Sequence, residues 1–234
     1  MSFRINMSKY YTSLLADAAP PAPVIPWYNA GGAPDPLAAY QPKGADDLAD
    51  SYINLVNPGT YDAAPGVAPT WDAVNGWIFN GTTQYLNTGI PGIGTYSVLI
   101  QFSGYEILDS KYLFGCINSP GGWKVFCIFL VTDGVIKFTY SNDNTSFTYV
   151  YGSAASTNGN IAMAGQKGYL NGILDATFVT GTPANTGLDC YISAVNFNDS
   201  VAYHAKVNIQ AIAIYNVTLT APQVLAVATR MAAL

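Results

Sequence analysis

Charged side chains are scarce in this sequence. Lys, Arg, Asp and Glu make up 10% of its 234 residues, against about a quarter in an average soluble domain. The nine basic residues are scattered singly, and the net charge is −5. Nucleic-acid binding needs clustered Lys and Arg to neutralise phosphates. The sequence therefore excludes a nucleic-acid partner.

Groups for acid–base chemistry are also scarce, since the chain has one histidine, His204, and one glutamate, Glu106. Any Ser-His-Asp or Cys-His arrangement would have to use His204, which we interpret as an exposed or hydrogen-bonded residue at the start of a strand. Glycoside hydrolysis needs two carboxylates, but Glu106 has no partner at strand spacing and its nearest acid is Asp109. We therefore expect no enzyme activity and no catalytic residues.

Metal and cofactor motifs are missing as well. One histidine and three separated cysteines make no recognisable zinc site, and no glycine-rich phosphate loop is present. The oxygen-rich loops 141–146 and 196–200 could offer ligands to calcium, but Asn and Asp equally build turns without an ion. We expect no metal and no cofactor.

No hydrophobic run is long enough for a membrane helix. The longest covers residues 125–131, far below the roughly 20 residues that a span needs, and residues 1–20 contain no apolar core of signal-peptide length. We expect a protein without membrane insertion, made and folded in a cytoplasm.

Cys116 and Cys127 lie in strand-like apolar runs, which favours buried free thiols.

The N-terminal segment has its own composition. Residues 18–36 are dense in Pro, Ala and Gly, which is typical of an extended arm or linker. Residues 9–19 are compatible with a short helix. We predict an N-terminal arm over residues 1–36 and one sandwich domain over residues 37–234.

From residue 52 onward the pattern is strand and turn. In residues 95–103 apolar and polar side chains alternate, with Tyr96, Val98, Ile100 and Phe102 on one face, which predicts a strand with one buried side. Three dipeptides predict tight antiparallel hairpins: Asn80-Gly81, Asp133-Gly134 and Asn171-Gly172. About a dozen strands follow without alternating helices, which indicates an all-β fold.

One helix is predicted, at the C-terminus. Thr220 and Gln223 have the spacing of a capping box, and Pro222 falls in the first turn. Val224, Val227 and Met231 then recur at helical spacing. We expect this apolar stripe to pack on the sandwich.

The strand predicted at residues 125–131 is apolar on both faces. Val125, Cys127, Phe129 and Val131 alternate with Phe126, Ile128 and Leu130, so both sides need a cover. The arm, the C-terminal helix or a second subunit could supply it, and we favour the arm or a subunit. Together with the low charge, this strand predicts a homo-oligomer.

Four segments in order resemble the laminin-G-like, concanavalin A-like jelly roll. LAAYQPKGADDLADSYINLVNPG is similar to its opening strand and loop, and NGWIFNGTTQYLNTGI to its Gly-aromatic-x-Phe strand pair. GQKGYLNGILDATF resembles a hairpin of this family, and VNIQAIAIYNVTLTAPQV resembles its closing strand and terminal helix. The resemblance implies a two-layer antiparallel jelly-roll β-sandwich. The Glu-x-Asp-x-Glu motif of the jelly-roll hydrolases is absent.

The stretches PWYNAGGAPDPLAAYQPKG and YDAAPGVAPTWDAVNGW are similar to uncharacterised proteins encoded among bacteriophage structural genes. This resemblance implies a non-enzymatic virion protein: a capsid decoration protein, a head fibre or a tail-associated protein. Its partners would be copies of itself and other virion proteins, and its location the virion, after synthesis in the host cytoplasm.

A carbohydrate-binding adhesion module that recognises host-surface glycans is the alternative. Sugars pack on aromatic side chains, and the chain has 17 tyrosines and four tryptophans. Trp123, Tyr149 and Tyr151 follow loops and could reach a rim, whereas we interpret Trp71 and Trp77 as core residues. The sequence assigns no ligand-binding residue among them.

Overall fold

The computed structural model describes residues 24–107, 110–131, 133, 135–142, 146–178 and 185–234, without the side chains of 140–142, 146–149 and 154. Within these ranges the chain forms two β-sheets. The eight-stranded sheet contains β1 (Ala38–Tyr40), β3 (Thr70–Asp72), β4 (Gly76–Asn80), β6 (Ser97–Ser103), β11 (Gly159–Ala164), β12 (Lys167–Leu170), β13 (Ile173–Thr177) and β17 (Lys206–Tyr215). Its order is β13-β12-β11-β6-β17-β4-β3, and β1 also pairs with β17.

The nine-stranded sheet contains β2 (Ala64–Val67), β5 (Tyr85–Ile93), β7 (Lys111–Asn118), β8 (Lys124–Leu130), β9 (Val135–Asn142), β10 (Ser146–Ala155), β14 (Asn185–Ile192), β15 (Val195–Phe197) and β16 (Ser200–Ala202). Its order is β10-β9-β8-β7-β14-β5-β2, with β15 beside β7 and β16 beside β15. The described pairings are antiparallel apart from β15 with β7 and an isolated parallel bridge between Tyr112 and His204. The predicted all-β, two-layer antiparallel sandwich is confirmed.

The main core lies between the two sheets and is rich in aromatic side chains. Trp77, Phe102, Phe114 and Phe126 are each at most 1% exposed. Burying one such side chain contributes on the order of 1.5–3 kcal/mol. Trp77 also satisfies its indole N–H, which donates to Ser51 Oγ at 2.7 Å. Trp77 is therefore the core residue that the sequence predicted, and Trp71 is partly buried against the same cluster.

Strand β6 is buried on both faces, so the predicted polar side is not exposed to solvent. Val98, Ile100 and Phe102 face the main core, as expected. Ser97 on the other face is also buried; its hydroxyl donates to Val217 O at 2.8 Å and accepts from Leu219 N at 2.9 Å. Alternation in the sequence predicted the two faces, but a helix in the tertiary fold covers the second one.

That helix is α2 (Ala221–Ala232); a short helix α1 (Leu48–Ser51) precedes it in the chain. The capping box between Thr220 and Gln223 is present. Val224, Val227 and Met231 are 0% exposed and pack on the eight-stranded sheet. The predicted C-terminal helix and its buried stripe are confirmed.

Part of the predicted arm packs on this helix. Trp27–Gly32 forms a 3-10 helix, and Trp27 is buried beside α2. Gln223 Nε2 donates to Gly32 O at 3.0 Å. Residues 1–23, including the helix predicted at 9–19, lie outside the described residues, and the domain boundary at residue 36 stays a prediction.

Two of the three predicted hairpins are present. Asn171 and Gly172 have positive φ of 51° and 77° and join β12 to β13. Strands β8 and β9 pair as an antiparallel hairpin across the Asp133-Gly134 segment, of which Gly134 is outside the described residues. The prediction at Asn80-Gly81 is wrong, because β4 and β5 belong to different sheets.

Asn80 instead organises a crossover between the sheets. Its Oδ1 accepts from the backbone N–H groups of Thr82 and Thr83 at 2.9 and 3.1 Å. Gly81 has φ +76°, a conformation that glycine adopts without strain. The dipeptide therefore predicted a turn correctly, but a local pattern does not specify which strands the turn connects.

The three cysteines are free and buried, which confirms the prediction for Cys116 and Cys127. Burial raises the pKa of the Cys127 and Cys190 thiols well above the ordinary range. The sulfur atoms of Cys116 and Cys190 are 3.4 Å apart.

Among the helices in the described ranges, none has the length and apolar character to cross a membrane.

Candidate functional site: an aromatic groove on the outer face

A groove lies on the outer face of the nine-stranded sheet, over β7, β8 and β9. We call it the outer groove; its cavity measures about 250 Å³. Its lining residues come from these three strands, from the segments beside them and from the β15–β16 region: Ser110, Tyr112, Ile117, Trp123, Val125, Phe129, Lys137, Thr139, Phe197 and Tyr203.

The floor of the groove is one face of the strand that the sequence marked as apolar on both sides. Phe126, Ile128 and Leu130 of β8 belong to the main core. Val125 and Phe129 belong to a separate outer cluster and are only 2% and 3% exposed. Strand β8 is therefore buried on both faces, as its composition requires.

The cover of this outer face is a β-hairpin, which the sequence did not predict. Val195 of β15 is fully buried in the outer cluster, and Phe197 and Ala202 pack against it. Helix α2 and the described part of the arm lie on the other sheet, so neither of these predicted covers is the one observed. The predicted second subunit stays a prediction.

The turn of the hairpin fixes its position over the sheet. Asn198 and Asp199 both have positive φ, 52° and 62°, which is typical of a tight two-residue hairpin turn. The Asn198 side chain donates to Ser119 Oγ and accepts from Ser119 N, each at 2.8 Å. Its amide thus joins the hairpin to the end of β7.

This turn lies in loop 196–200, one of the two loops considered for calcium. Since Asn198 Oδ1 already accepts from Ser119 N, the structural role of this residue is clear without an ion. No group of three metal-binding side chains occurs in the part of the chain that the structure describes. Residues 143–145 of the other loop are outside that part.

Aromatic contacts build the walls of the groove. The rings of Trp123 and Phe197 meet edge to face with centroids 6.3 Å apart. Tyr112 stacks on Phe129 at 4.5 Å and contacts Tyr203 at 5.6 Å. Such pairs add about 0.5–1.5 kcal/mol beyond area burial, so the groove is held in shape by its own side chains.

Two polar side chains distinguish the side formed by β9. Lys137 Nζ lies 4.5 Å from the ring centroid of Tyr151 and 5.7 Å from that of Phe129, distances typical of cation–π contacts. Thr139 is 1% exposed, and its Oγ1 has no hydrogen-bond partner among the described residues. Buried hydroxyls are normally hydrogen-bonded. Thr139, which lines the groove, departs from this rule.

Of the aromatic residues that the sequence singled out, Trp123 lines the groove and Tyr151 lies beside it, 57% exposed. The side chain of Tyr149 is outside the described residues. The sequence pattern of β8 pointed to Phe129, but it contained no signal for Phe197 or Tyr203, because only the hairpin brings them over the sheet.

The scarce acid–base residues lie elsewhere. Glu106 forms an exposed ion pair with Lys206 at 2.9 Å. His204 is half-buried, with its ring 6.1 Å from that of Tyr85. Burial and the nearby charge of Lys111 lower the pKa of His204, and a hydrogen bond to the Thr83 backbone opposes them. Neither Glu106 nor His204 is among the lining residues of the outer groove.

No protein-family model and no curated protein matches the sequence. Among solved structures, the chain is similar to the receptor-binding domain of botulinum neurotoxin type G, with a TM-score of 0.56, 14% identity and coverage of 86% of this chain and 51% of that one. It is also similar to the sialidase NanB of Streptococcus pneumoniae (TM-score 0.48, 16% identity, 63% and 26% coverage). A third structure is the CBM40 of the Ruminococcus gnavus IT-sialidase bound to α2,3-sialyllactose (TM-score 0.45, 15% identity, 58% and 84% coverage).

This chain spans about a quarter of the length of the NanB structure and half that of the neurotoxin domain. At such identities, similarity in three dimensions concerns the fold alone, because one fold hosts many functions. The likeness to the neurotoxin domain agrees with the jelly-roll-like β-sandwich seen in the sheet topology.

Proposed function

We propose that this protein is a carbohydrate-binding module and that the outer groove holds the sugar. The observation that carries the proposal is the set of aromatic rings, Trp123, Phe197 and Tyr112 among them, around a cavity on the outer face of a sheet. Ligand sites are concave and mostly apolar, with a few placed polar groups. The C–H faces of a pyranose ring suit aromatic walls of this kind.

The size of the groove limits what it can hold. Its volume of about 250 Å³ is just below the range of about 300–1,000 Å³ that is usual for pockets of drug-sized ligands. This space suits one sugar ring and its substituents rather than several consecutive rings. The module would therefore bind one monosaccharide unit of a glycan.

Polar side chains at the groove can complement hydroxyl groups of the sugar. Ser110, Tyr203 and Thr139 each carry a hydroxyl that donates and accepts, and Lys137 only donates. Tyr203 is 50% exposed, so its hydroxyl is within reach of a ligand that arrives from solvent.

A glycan array with the wild-type protein and Trp123→Ala tests the proposal. We expect saturable, sugar-specific binding that falls at least about tenfold in the variant, since ring contacts of about 1.4 kcal/mol correspond to that factor. Tyr61→Ala, an exposed aromatic outside the groove lining, is the control and keeps wild-type binding. A blank array, or equal binding by both variants, would overturn the proposal.

The virion role implied by the sequence resemblance stays a prediction. It is compatible with glycan binding, because an adhesion module can be part of a virus particle. Mass spectrometry of purified phage particles tests the virion role, and absence of the protein from the particle contradicts it.

Two further predictions have their own tests. Light scattering at micromolar concentration tests the predicted homo-oligomer. Incubation with the sugars bound on the array, followed by product analysis, tests the predicted lack of enzyme activity.

A further inference from the structure

The floor of the outer groove is apolar, which restricts the part of a sugar that can enter it. Val125, Phe129 and Ile117 are at most 7% exposed and form this floor. A sugar hydroxyl buried against such side chains loses its hydrogen bonds to water without gaining a partner, which weakens binding. The floor therefore favours a sugar that turns an apolar substituent, such as a methyl group, inward.

Thr139 adds a polar requirement at the same place. Its hydroxyl is buried and has no partner among the described residues, an arrangement that destabilises a protein unless something else supplies the hydrogen bond. The hydroxyl can donate one hydrogen bond and accept another. A ligand group that presents an acceptor or a donor next to a methyl would satisfy both Thr139 and the apolar floor.

The remaining hydrogen-bonding side chains of the lining are rich in donors. Lys137 only donates, and the tyrosine and serine hydroxyls donate as readily as they accept. No carboxylate or carboxamide side chain is among the lining residues named for the groove. The groove thus suits a ligand that contributes an amide carbonyl, which only accepts, beside sugar hydroxyls, which both donate and accept.

We infer that the sugar in the outer groove is an N-acetylated amino sugar. Its acetamido methyl packs on Val125 and Phe129, and its acetamido carbonyl or N–H pairs with Thr139 Oγ1 after rotation about χ1 of Thr139. This inference rests on the proposed function and names the class of sugar. A 6-deoxy sugar also carries a methyl group, but the oxygen two bonds from that methyl is the ether oxygen of the ring, which is a weaker acceptor than an amide carbonyl.

Matched pairs of monosaccharides test the inference by ligand-observed NMR titration. The probes are N-acetylglucosamine against glucose, N-acetylgalactosamine against galactose, N-acetylmannosamine against mannose, and L-fucose as the 6-deoxy sugar. In at least one pair, we expect the N-acetylated sugar to bind about tenfold more tightly than its parent and more tightly than fucose. Equal affinity within every pair, or preference for fucose, overturns the inference.

Substitutions of Thr139 test whether its hydroxyl is responsible for the N-acetyl preference. Thr139→Val keeps the shape and removes the hydroxyl, so we expect the N-acetyl preference to fall to about twofold or less while the melting temperature stays the same or rises. Thr139→Ser keeps the hydroxyl and the preference. Thr229→Val, on an exposed position of α2 over the other sheet, changes neither.

The outcomes separate the two proposals. If no sugar binds in the titrations and the glycan array is blank, the proposed function fails. If sugars bind in a manner that depends on Trp123 but is indifferent to the acetamido group, the proposed function stands and this inference fails. A preference that survives in Thr139→Val also overturns the assignment of Thr139.

Discussion

The outer faces of the two sheets are both apolar, yet different structures cover them. On the eight-stranded sheet, α2 and the 3-10 helix pack on a cluster that contains Leu99, Ala162, Ala211 and Ala213. On the nine-stranded sheet, a hairpin packs on large side chains such as Phe129. The alanines let the helix approach the sheet closely, whereas the short hairpin covers only part of its face and leaves a groove beside it.

The two faces differ in how completely their cover buries them. On the helix side, Val224, Val227 and Met231 have no exposed surface, and the cavity on that side lies beyond this stripe, at the start of α2 near Thr220 and Ala221. The hairpin side keeps a cavity of about 250 Å³ lined by half-buried aromatic residues. We therefore expect substitutions on the helix side to change stability and substitutions in the groove to change binding.

The largest effect is expected from Met231→Ala. Truncation of this fully buried side chain removes contacts and leaves a cavity, which lowers the free energy of unfolding by about 2–5 kcal/mol. Urea denaturation measures the loss, and sugar binding by the folded fraction stays at the wild-type level. A loss below about 1 kcal/mol would contradict the view that this face is closely packed.

A smaller effect is expected from Ala213→Leu, which tests the need for small residues under α2. Ala213 is 0% exposed in the cluster below the helix, so a larger side chain forces the helix outward and costs about 1–3 kcal/mol. Ala232→Leu, at an exposed position of the same helix, is the matched control. Equal stability of the two variants in urea would show that the helix tolerates a wider gap.

The smallest effect is a pH dependence from His204, on the side of the nine-stranded sheet. Because its pKa in the folded protein is lowered, the unfolded chain, with an ordinary pKa of about 6.5, binds the proton more readily. The contribution of His204 to the free energy of unfolding is therefore fully present above about pH 6.5, and it is lost as the pH falls below that value. Melting temperatures from about pH 7.5 to about pH 5.5 measure this slope.

His204→Asn is the control for the pH experiment, because asparagine does not titrate in this range. Its melting temperature is expected to vary less with pH than that of the wild type. If the two slopes are equal, His204 does not contribute to the pH dependence, and carboxyl groups elsewhere account for it.

Much of the fold could be predicted because it follows from short-range patterns. The Asn171-Gly172 turn needs only two residues that tolerate positive φ, and the capping box at Thr220 needs only a spacing of three. The Asn80-Gly81 prediction failed for a different reason. The same turn chemistry connects either two paired strands or two sheets, and only the long-range pairing of β4 with β17 decides between them.

The candidate site was predictable only in part. Trp123 and the outward face of β8 were visible in the sequence, because a strand that is apolar on both faces must be covered on both. Phe197 and Tyr203 were not visible, since β15 and β16 are short strands with a mixed pattern. Nor could the sequence indicate that Thr139 would lack a hydrogen-bond partner among the described residues.

The amino-acid sequence by itself determined the strands, most tight turns, the C-terminal helix and the two faces of each strand, because these depend on neighbours a few residues apart. The tertiary structure decided which element covers each face and where a cavity remains. The physical reason is that Phe197 is distant along the chain from Tyr112 and Trp123, and it joins them only when the Asn198–Asp199 turn lays the hairpin against β7.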